Sequence, residues 1–555
     1  AKNPIDGIRQ DISNVCKQRA VEAQGIYSLT VPTGGGKTYA SLRYAVHHAK
    51  QHQLDRIIYI IPYTSIIDQN AAAIRKVLEH QGDETPWVLE QHSNLEPEKQ
   101  TWRSKLVSEN WDSPVVLTTM VQFLETLFSG GTRGVRKLHQ LANSVIVFDE
   151  IQTLPINCTH LFCNSINFLT AHCKTTAVLC TATQPLLNQL KQPDKGQLHL
   201  RADNELMPNV RQLFDDLKRV DIVDKTTDGG WSLEDIGRFA VNELMMKDSC
   251  LVIVNTKNWA QALYQNCVET AGVDEKWVFH LSTSQCPAHR MQLLEDIRDR
   301  LDNGLPILCI STQLIEAGVD VDFNSVIRFR AGMDSIAQAA GRCNRNGNGA
   351  TAEVYVINPD VEKIDVLVDI TEGITQTKRI FNQFKDTDLL APEVMEQYFD
   401  YYFFNRADDM SYTLTSKQAE RDDNLLNLLS LNPLHPTTAT PLPLKQSFMT
   451  AGKAFKAIDA PTQSILVQYG EGADLVAQLC AVSKQFDAQE YYDLLKQLQK
   501  YSVNVFPNVW RKLQEQAAVI EIGEGEGVYY LKENHYSDAF GLSTEAVGSM
   551  SFQCC

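Results

Sequence analysis

Short runs of apolar and β-branched residues alternate with longer amphipathic segments over the first 360 residues of the chain. Five such runs come first, at 25–31, 56–62, 114–120, 144–150 and 176–183. The pattern restarts after a polar stretch around 190–230, with runs at 250–256, 277–283, 306–312, 325–329 and 352–358. Strands that alternate with helices are typical of a parallel sheet covered on both faces. The pattern predicts an α/β fold with two tandem doubly wound parallel-sheet domains, and their cleft is the expected ligand site.

Longer amphipathic segments follow residue 360 and indicate a different kind of structure. One of them, VMEQYFDYYFFNRADD, carries an aromatic cluster that suits a buried helix face better than a base-stacking platform. The stretch HPTTATPLPL at 435–444 is typical of a connector. The predicted regions are a first α/β domain at 1–205, a second at 206–360, a mostly helical linker region at 361–445 and a C-terminal accessory domain at 446–555.

The length and charge of the chain narrow its class. A length of 555 residues exceeds what one hydrophobic core supports, which agrees with several domains. A formal net charge of −17 argues against a protein that coats nucleic acid by bulk charge. It still allows a groove in which backbone N–H groups, hydroxyls and a few cations hold the phosphates.

The distribution of apolar residues and cysteines predicts a cytoplasmic protein with no membrane partner. No apolar run approaches the roughly 18 to 20 residues that cross a bilayer, and the charged N-terminal segment lacks a signal-peptide core. The 13 cysteines are scattered without a C-x-x-C pair. We therefore expect buried reduced thiols rather than disulfides or a zinc site.

The segment SLTVPTGGGKTYA (28–40) places a glycine-rich turn between a strand and a helix. Such a turn aims several backbone N–H groups and a helix N-terminus at one spot, which is a phosphate site. The residues predicted to hold a nucleotide there are Thr33, Gly34, Gly35, Gly36, Lys37 and Thr38. Lys37 is expected to reach the β- and γ-phosphates, and Thr38 to ligate Mg²⁺. Val31 stands where the first glycine of G-x-x-x-x-G-K-[ST] belongs, so a chance glycine turn is an open alternative.

Two adjacent carboxylates, Asp149 and Glu150, end the apolar run SVIVFDE. A buried strand does not normally tolerate such a pair, so the pair either forms a solvated turn or serves chemistry. In a phosphate site, Asp149 can hold Mg²⁺ while Glu150 orients and deprotonates the attacking water. Together with the glycine loop upstream, the pair predicts ATP and Mg²⁺ as ligands.

A pair of arginines, Arg342 and Arg345, occurs within SIAQAAGRCNRNG in the second set of runs. Their i, i+3 spacing predicts that both lie on one helix face. In isolation, an ordinary surface cluster is the better interpretation. Between two domains, guanidinium groups delivered to a γ-phosphate would neutralise transition-state charge, an effect of about 10³ to 10⁵ in rate.

A set of short motifs in fixed order resembles the motifs of superfamily 2 helicases. The set is VPTGGGKT, IIPYTSII, VVLTT, FDEIQ, TAT, LVIVNT, STQLIEAGVDVDF and QAAGRCNR. Within that superfamily, DEIQ, HLST, LIEAGVDVDF and GRCNRNG are similar to the type I CRISPR-associated helicase/nuclease family. The segments LLKQLQKYSVNV and YSDAFGLS are similar to that family's C-terminal accessory domain. The resemblance implies two tandem RecA-like domains and is tighter before residue 361 than after it.

The resemblance also implies roles for individual residues. Gln10 is expected to read the adenine base, and Gln338 to approach the γ-phosphate beside the two arginines. Thr181 and Thr183 match the strand that couples hydrolysis to domain movement. The residues expected to line the single-strand groove are Pro62, Tyr63, Thr118, Thr119, Asn255, Thr256 and Thr312. Small hydroxyl residues suit phosphate contacts without base readout, which implies sequence-independent movement.

The function implied by the resemblance is that of an ATP-dependent single-stranded DNA translocase or helicase. It would move 3′ to 5′ after recruitment by an RNA-guided CRISPR surveillance complex. The family usually joins an HD nuclease to the helicase, yet no His-Asp dipeptide occurs among the 13 histidines, so HD nuclease activity is not expected from this chain. The nuclease would then be a separate chain, or lie in cis if this chain is truncated. A generic superfamily 2 RNA or DNA helicase and an ATP-gated nucleic-acid clamp stay open as alternatives.

Overall fold

The computed structural model describes residues 4–62, 64–80, 86–91, 110–316, 318–347, 351–385, 387–434, 444–457, 462–483, 488–523 and 525–546. Packing divides the chain into two compact units. The first unit contains the described residues within 1–92, 101–218 and 376–459. The second unit contains the described residues within 219–375 and 460–555.

The first unit is built on a parallel sheet. Its strands are β1 (Ile26–Thr30), β2 (Arg56–Ile61), β3 (Val88–Gln91), β4 (Val115–Thr119), β5 (Ser144–Asp149) and β6 (Thr176–Thr181). The strands lie in the order β1-β6-β5-β2-β4-β3. The helices of this part are α1 (Pro4–Arg19), α2 (Lys37–His52), α3 (Thr64–Leu78), α4 (Met120–Phe128), α5 (Thr132–Leu138), α6 (Thr159–His172) and α7 (Val210–Asp216). Every residue of β1 and β6 is buried, as expected for a sheet covered on both faces.

The carboxyl ends of three strands are neighbours in this sheet. Thr30 at the end of β1 lies opposite Thr181 at the end of β6. Asp149 at the end of β5 lies opposite Cys180 of β6. The loops that leave these strands therefore share one edge of the sheet, which is where open α/β sheets bind ligands.

The second unit contains a second parallel sheet. Its strands are β7 (Val220–Asp224), β8 (Ser249–Ile253), β9 (Val278–Leu281), β10 (Ile307–Ser311), β11 (Ser325–Phe329) and β12 (Ala352–Ile357). They lie in the order β7-β12-β11-β8-β10-β9. The helices between these strands are α8 (Leu233–Lys247), α9 (Lys257–Gln265), α10 (Pro287–Asp302) and α11 (Met333–Ala340). A further helix, α12 (Val368–Gln383), follows the last strand.

These sheets confirm the predicted α/β class with two tandem doubly wound parallel-sheet domains. Two strands lie outside the predicted runs, namely β3 with the sequence VLEQ and β7 with VDIVD. Both are edge strands, and only the first residue of each is buried. Because an edge strand tolerates polar side chains, a pattern of buried apolar runs does not include it.

Residues that follow α12 extend the first unit. The elements here are α13 (Pro392–Asn405), β13 (Thr413–Leu414), α14 (Ser416–Ala419), β14 (Asp423–Asn424), α15 (Leu425–Leu429) and α16 (Phe448–Ala454). Tyr412 and Phe455 belong to the same buried apolar cluster as Phe148 of β5. The Gly130 N–H donates to the carbonyl of Gly452 at 2.7 Å, and a Cβ on Gly452 would lie 2.9 Å from Gly130. This close backbone approach fixes α16 beside the end of α4.

The last part of the described chain extends the second unit. Its elements are β15 (Gln463–Leu466), α17 (Gly472–Val482), α18 (Ala488–Leu498), β16 (Ser502–Val505), α19 (Pro507–Glu515), β17 (Val519–Glu521), β18 (Tyr529–Leu531), β19 (Tyr536–Ser537) and β20 (Gly541–Leu542). Four of these strands form a sheet in the order β16-β15-β18-β17. The ring of His289 in α10 stacks on Tyr469 at 4.2 Å, and its Nδ1 lies 2.9 Å from the hydroxyl of Tyr536. These contacts attach the final segment to the second parallel sheet, while the domain boundaries predicted from sequence stay predictions.

Several smaller expectations concern thiols, aromatic residues and the connector. The cysteines in the described part of the chain are free thiols, and all but Cys173 and Cys480 are buried. In α13, Tyr398 and Phe399 are buried whereas Phe404 is exposed, which favours a packed helix face. Of the predicted connector, 435–443 lies outside the described residues. No helix in the described ranges is long and apolar enough to span a bilayer.

Candidate functional site

The phosphate loop joins β1 to α2 through two glycines in the left-handed region. Gly34 has a φ of 77° and Gly36 a φ of 85°, and residues with side chains rarely adopt such values. Gly36 is the N-cap of α2, so the first N–H groups of the helix face the loop. The side chain of Arg9 supports the loop from outside, since its Nε donates to the carbonyl of Gly34 at 2.9 Å. The loop has the local geometry of an anion cradle.

The middle glycine of the loop, Gly35, is required by packing and not by its φ. A Cβ at this position would lie 2.4 Å from Cγ1 of Val31, 3.1 Å from the carbonyl oxygen of Pro32 and 3.2 Å from Cδ1 of Leu217. Val31 occupies the position where a glycine was expected. The valine side chain therefore fills the space that a side chain at residue 35 would need.

A chain of polar contacts connects the phosphate loop to the ends of β5 and β6. Nζ of Lys37 donates to Oε1 of Glu150 at 2.6 Å, and the two side chains are only 11% and 19% exposed. Nε2 of Gln152 donates to the other oxygen of Glu150 at 2.7 Å. The hydroxyl of Thr181 donates to Oε1 of Gln152 at 2.6 Å and accepts from the N–H of Thr183 at 2.9 Å. Three motifs of the sequence, GGGKT, DEIQ and TAT, thus contribute to one network.

Asp149 has the environment of a cation ligand. Burial and the neighbouring Glu150 raise the pKa of its carboxyl group, while Lys37 and the side chain of Asn70 act in the opposite direction. A divalent cation would offset the first two effects because it adds positive charge beside the carboxylates. Asp149 and the hydroxyl of Thr38 are hard oxygen donors of the kind that Mg²⁺ accepts together with phosphate oxygens and water. The donor set therefore fits Mg²⁺.

Other predicted ligand-binding residues of the first unit have hydrogen-bond partners within the protein. Gln10 is exposed, and its amide donates to Asn14 at 3.1 Å, so Arg9 and not Gln10 contacts the phosphate loop. Thr118 is buried and donates to the carbonyl of Gln91 at 3.2 Å. Thr119 caps α4 by accepting the N–H of Gln122 at 3.1 Å. The roles of Gln10 in adenine binding and of the threonines in the groove stay predictions.

The remaining described residues predicted to line the groove lie at or just after the ends of strands. Pro62 directly follows β2 and is partly exposed, while Tyr63 lies outside the described residues. Thr256 caps α9 by accepting the N–H of Trp259 at 3.3 Å. Thr312 is buried, and its N–H donates to the carbonyl of Leu281 at 3.1 Å. These residues stand at strand ends, and their role in binding nucleic acid stays a prediction.

The predicted helix face with two arginines is wrong, because α11 ends at Ala340 before either of them. Gly341 caps the helix, and Asn344 takes a φ of 46°, which turns the chain between the arginines. Arg342 is buried and donates to two backbone carbonyls of the segment after β10, whereas Nε of Arg345 lies 3.0 Å from Asp320. Of the three residues predicted to approach the γ-phosphate, Gln338 alone lies within α11, and it is partly exposed.

Several polar residues of the two units have no assigned role in the sequence motifs. Gln152 belongs to the motif DEIQ, but the motif assigned it no role. Its hydrogen bonds to Glu150 and Thr181 appear only in the folded structure. The carboxylate of Glu205 accepts the N–H of Thr30 at 3.1 Å and its hydroxyl at 2.7 Å, so it holds the end of β1. Arg328 lies in the middle of the apolar strand β11, where a buried charge is a signal visible in the sequence SVIRF.

Two family models match segments of the chain. A model described as DEAD/DEAH box helicase matches residues 11–191, which include the phosphate loop and the acidic strand end. A model described as CRISPR-associated nuclease/helicase Cas3, C-terminal, matches residues 246–348, which include both arginines. These matches confirm the resemblance inferred from the motifs: the chain carries a DEAD/DEAH-type helicase domain followed by a Cas3-like C-terminal helicase domain.

Comparison with individual proteins also finds similarity to Cas3 proteins. A CRISPR-associated nuclease/helicase Cas3 from Haloferax volcanii is 28% identical over an alignment of 460 residues. The match covers 64% of this chain and 49% of the relative. This chain thus spans about half the length of that relative. The structure of T. fusca Cas3-ADP covers 96% of this chain and 69% of its own, with a TM-score of 0.63 and 15% identity.

A further solved structure, titled CRISPR RNA-guided surveillance complex, pre-nicking, covers 92% of this chain and 65% of its own. Its TM-score is 0.56 at 15% identity. At such low identity, the structural likenesses show the shared fold. They confirm the predicted tandem RecA-like architecture.

Proposed function

We propose that this chain is an ATP-dependent single-stranded DNA translocase and helicase that acts in type I CRISPR interference. The helicase domains themselves are established by the family models. The observation that carries the proposal is the network from Lys37 through Glu150 and Gln152 to Thr181. In this proposal, it connects the groups assigned to bind and activate ATP to a strand end assigned to respond to hydrolysis.

In the proposed reaction, ATP replaces an internal partner of Lys37. The N–H groups of the phosphate loop and the start of α2 hold the phosphates, and Lys37 leaves Glu150 to contact the β- and γ-phosphates. Glu150, freed from the lysine, orients the attacking water and accepts its proton. When bound, Mg²⁺ supplies charge neutralisation on the phosphates, and Asp149 and Thr38 are the residues that would hold it.

The proposed reaction also needs groups that neutralise the charge developing on the γ-phosphate. We assign this role to Gln338, Arg342 and Arg345 by their match to the helicase motif QAAGRCNR. Arg345 is 27% exposed and pairs with Asp320, which is 70% exposed, so this ion pair is weak and exchangeable. Arg345 can therefore leave Asp320 for a phosphate when ATP is bound.

The DNA track and the partner are further parts of the proposal. A chain with a net charge of −17 suits docking on a protein complex better than random capture of duplex DNA. The Haloferax volcanii relative is a CRISPR-associated nuclease/helicase, and one similar fold occurs in an RNA-guided surveillance complex. Movement 3′ to 5′ along single-stranded DNA in the cytoplasm follows from the resemblance. DNA cleavage would belong to an HD nuclease in cis or on a separate chain, since this sequence contains no His-Asp dipeptide.

Strand displacement on duplexes with one single-stranded overhang tests this function. The wild-type chain should separate a duplex with a 3′ overhang in the presence of ATP and Mg²⁺, while a duplex with a 5′ overhang stays paired. Lys37→Ala should remove this activity because the phosphates lose their cation. Lys50→Ala, which removes an exposed lysine of the same helix, is the matched control.

Three results would contradict the proposal. Displacement from the 5′ overhang alone would reverse the polarity. ATP turnover without displacement on any substrate would indicate an ATP-gated clamp. Fragments of end-labelled DNA on a denaturing gel, with Mg²⁺ or Mn²⁺ supplied, would show that the chain also cuts DNA.

A further inference from the structure

A guanidinium group is buried in the middle of the second parallel sheet. Arg328 lies in β11, where all five residues are buried, and its side chain is 0% exposed. Its Nε is 2.6 Å from Oε1 of Glu316, whose side chain is 6% exposed. A charge in such a place needs a full set of partners, because an unpaired buried ion is strongly destabilising.

The other nitrogens of Arg328 reach two more segments of the chain. One terminal nitrogen donates to Oδ1 of Asn255 at 2.6 Å and to the carbonyl of Phe329 at 2.9 Å. The second donates to the hydroxyl of Ser335 at 2.8 Å. Arg328 therefore contacts the segment after β8, the segment after β10 and helix α11 at the same time.

The segment around Glu316 is held from two directions. The hydroxyl of Ser335 donates to its carboxylate at 2.8 Å, so Arg328, Ser335 and Glu316 form a closed ring of contacts. Arg342 donates hydrogen bonds to the backbone of the same segment, at the carbonyls of Ile315 (3.0 Å) and Glu316 (2.6 Å). Displacement of Glu316 would thus act on both ends of α11.

The segment after β8 is equally constrained. Nδ2 of Asn255 donates to the carbonyl of Arg330 at 3.0 Å and to Glu362 at 3.1 Å, while its Oδ1 accepts from Arg328. The side chain of Gln313 donates to the carbonyl of Asn255 at 3.4 Å. Both segments that the sequence assigns to the nucleic-acid groove are therefore connected to one guanidinium group.

Stability alone does not explain a buried ion pair in a strand. Removing two charges from water offsets most of their attraction, and well-packed apolar residues of similar volume are often as stable. A planar guanidinium with donors in fixed directions does hold several elements in one relative arrangement. The pair is thus better suited to positioning than to added stability.

We propose that Arg328 and Glu316 are positioning residues that transmit occupancy of the nucleic-acid segments, at Asn255 and at the end of β10, to the helix carrying Gln338 and to Arg342. This inference rests on the proposed function, because it concerns the stimulation of ATP hydrolysis by single-stranded DNA. Neither residue is expected to touch ATP or DNA. Both act by fixing the geometry of residues that do.

The test compares the ratio of ATP turnover with and without single-stranded DNA in several variants. Arg328→Lys keeps the charge but cannot reach three segments at once, so the stimulation ratio should fall by about tenfold, within the usual range of coupling between sites. Glu316→Gln should lower the ratio similarly. Ser335→Ala, a small change at a partly exposed position, should lower it less and in the same direction.

Glu243→Gln is the matched control, because Glu243 is a buried carboxylate of the same unit that accepts from Ser325 at 2.8 Å and, among the described residues, hydrogen-bonds to neither segment. Its stimulation ratio should equal that of the wild type even if its melting temperature falls. Unchanged ratios in Arg328→Lys and Glu316→Gln overturn the inference, as does an equal loss in Glu243→Gln. If Arg328→Lys does not fold, the stimulation ratio of Ser335→Ala decides: a lower ratio than that of the wild type supports the inference, and an unchanged ratio overturns it. Absence of stimulation in the wild type would instead reject the proposed function, and the inference with it.

Discussion

At the residue scale, the contact between Val31 and Gly35 sets the shape of the phosphate loop. Because a Cβ on Gly35 would lie 2.4 Å from Cγ1 of Val31, Gly35→Ala should distort the loop and weaken ATP binding by about tenfold or more. Titration with a fluorescent ATP analogue measures this loss. Val31→Ala in the same chain removes Cγ1 and should restore part of the affinity, while the carbonyl of Pro32 at 3.1 Å limits the recovery. Wild-type affinity in Gly35→Ala alone would show that the loop adapts freely.

Single residues were predictable where the chemistry is local. The sequence singles out Lys37, Asp149 and Glu150 because a glycine turn and a strand end are each contiguous motifs. The structure pairs Lys37 with Glu150, while the catalytic roles of the three residues stay predictions. The partners of Gln152 and Arg328 were not predictable, because hydrogen bonds between distant segments depend on the register of the strands. Arg328 itself is recognisable in the sequence as a charged residue inside the apolar run SVIRF.

At the scale of elements, hydrogen bonds connect the end of β6 to Glu150 through Gln152, and we propose that this strand end responds to the state of Glu150. Thr181→Val keeps the shape of the side chain but removes its bonds to Gln152 and to the N–H of Thr183. Strand displacement per ATP hydrolysed should therefore fall by about tenfold, as expected when a coupling contact is lost. Parallel assays of ATP turnover and displacement measure this quantity. Thr170→Val, in helix α6 of the same unit, is the control, and an equal change in both variants would contradict the role of Thr181.

Helix α2 contains a buried neutral imidazole that makes stability depend on pH. Burial lowers the pKa of His48 to about 4, and its nitrogens lie 2.9 Å from the carbonyl of Ala20 and from the hydroxyl of Thr176. In the unfolded chain the pKa is about 6.5, so the unfolded state binds more protons between these values and stability falls as pH drops through this window. The free energy of unfolding should fall by about 2 kcal/mol between pH 7 and pH 5 on account of His48.

Denaturant unfolding at pH 7 and pH 5 measures that change. His48→Gln keeps hydrogen-bonding capacity without a titrating group, so its loss between the two pH values should be smaller than that of the wild type by this amount. His199→Gln, at an exposed histidine of the same unit, should behave like the wild type. Equal pH dependence in His48→Gln and the wild type would contradict the assignment.

The elements show where the sequence pattern was informative. Buried central strands were predicted to within a few residues, because both of their faces select apolar side chains. Edge strands β3 and β7 were missed for the opposite reason, since polar residues are tolerated there. The end of α11 was also misplaced, because i, i+3 spacing does not show that a helix continues through Gly341.

At the scale of the whole molecule, the residues that follow the two parallel sheets are shared between the units. Tyr412 and Phe455 pack into the core of the first unit, whereas Tyr469 and Tyr536 contact α10 of the second. This distribution was not visible in the sequence, because contacts over more than a hundred residues leave no periodic pattern. The tandem α/β architecture was predictable because each strand and helix carries its own local signal.

In the proposed function, single-stranded DNA drives ATP hydrolysis at the phosphate loop. The most direct test is ATP turnover by the purified chain with no polymer, with single-stranded DNA and with single-stranded RNA, for the wild type and Lys37→Ala. We expect DNA to raise wild-type turnover by about tenfold or more, RNA to raise it less, and Lys37→Ala to be inactive under all conditions. Wild-type turnover that ignores DNA, or activity that persists in Lys37→Ala, would contradict the proposed function.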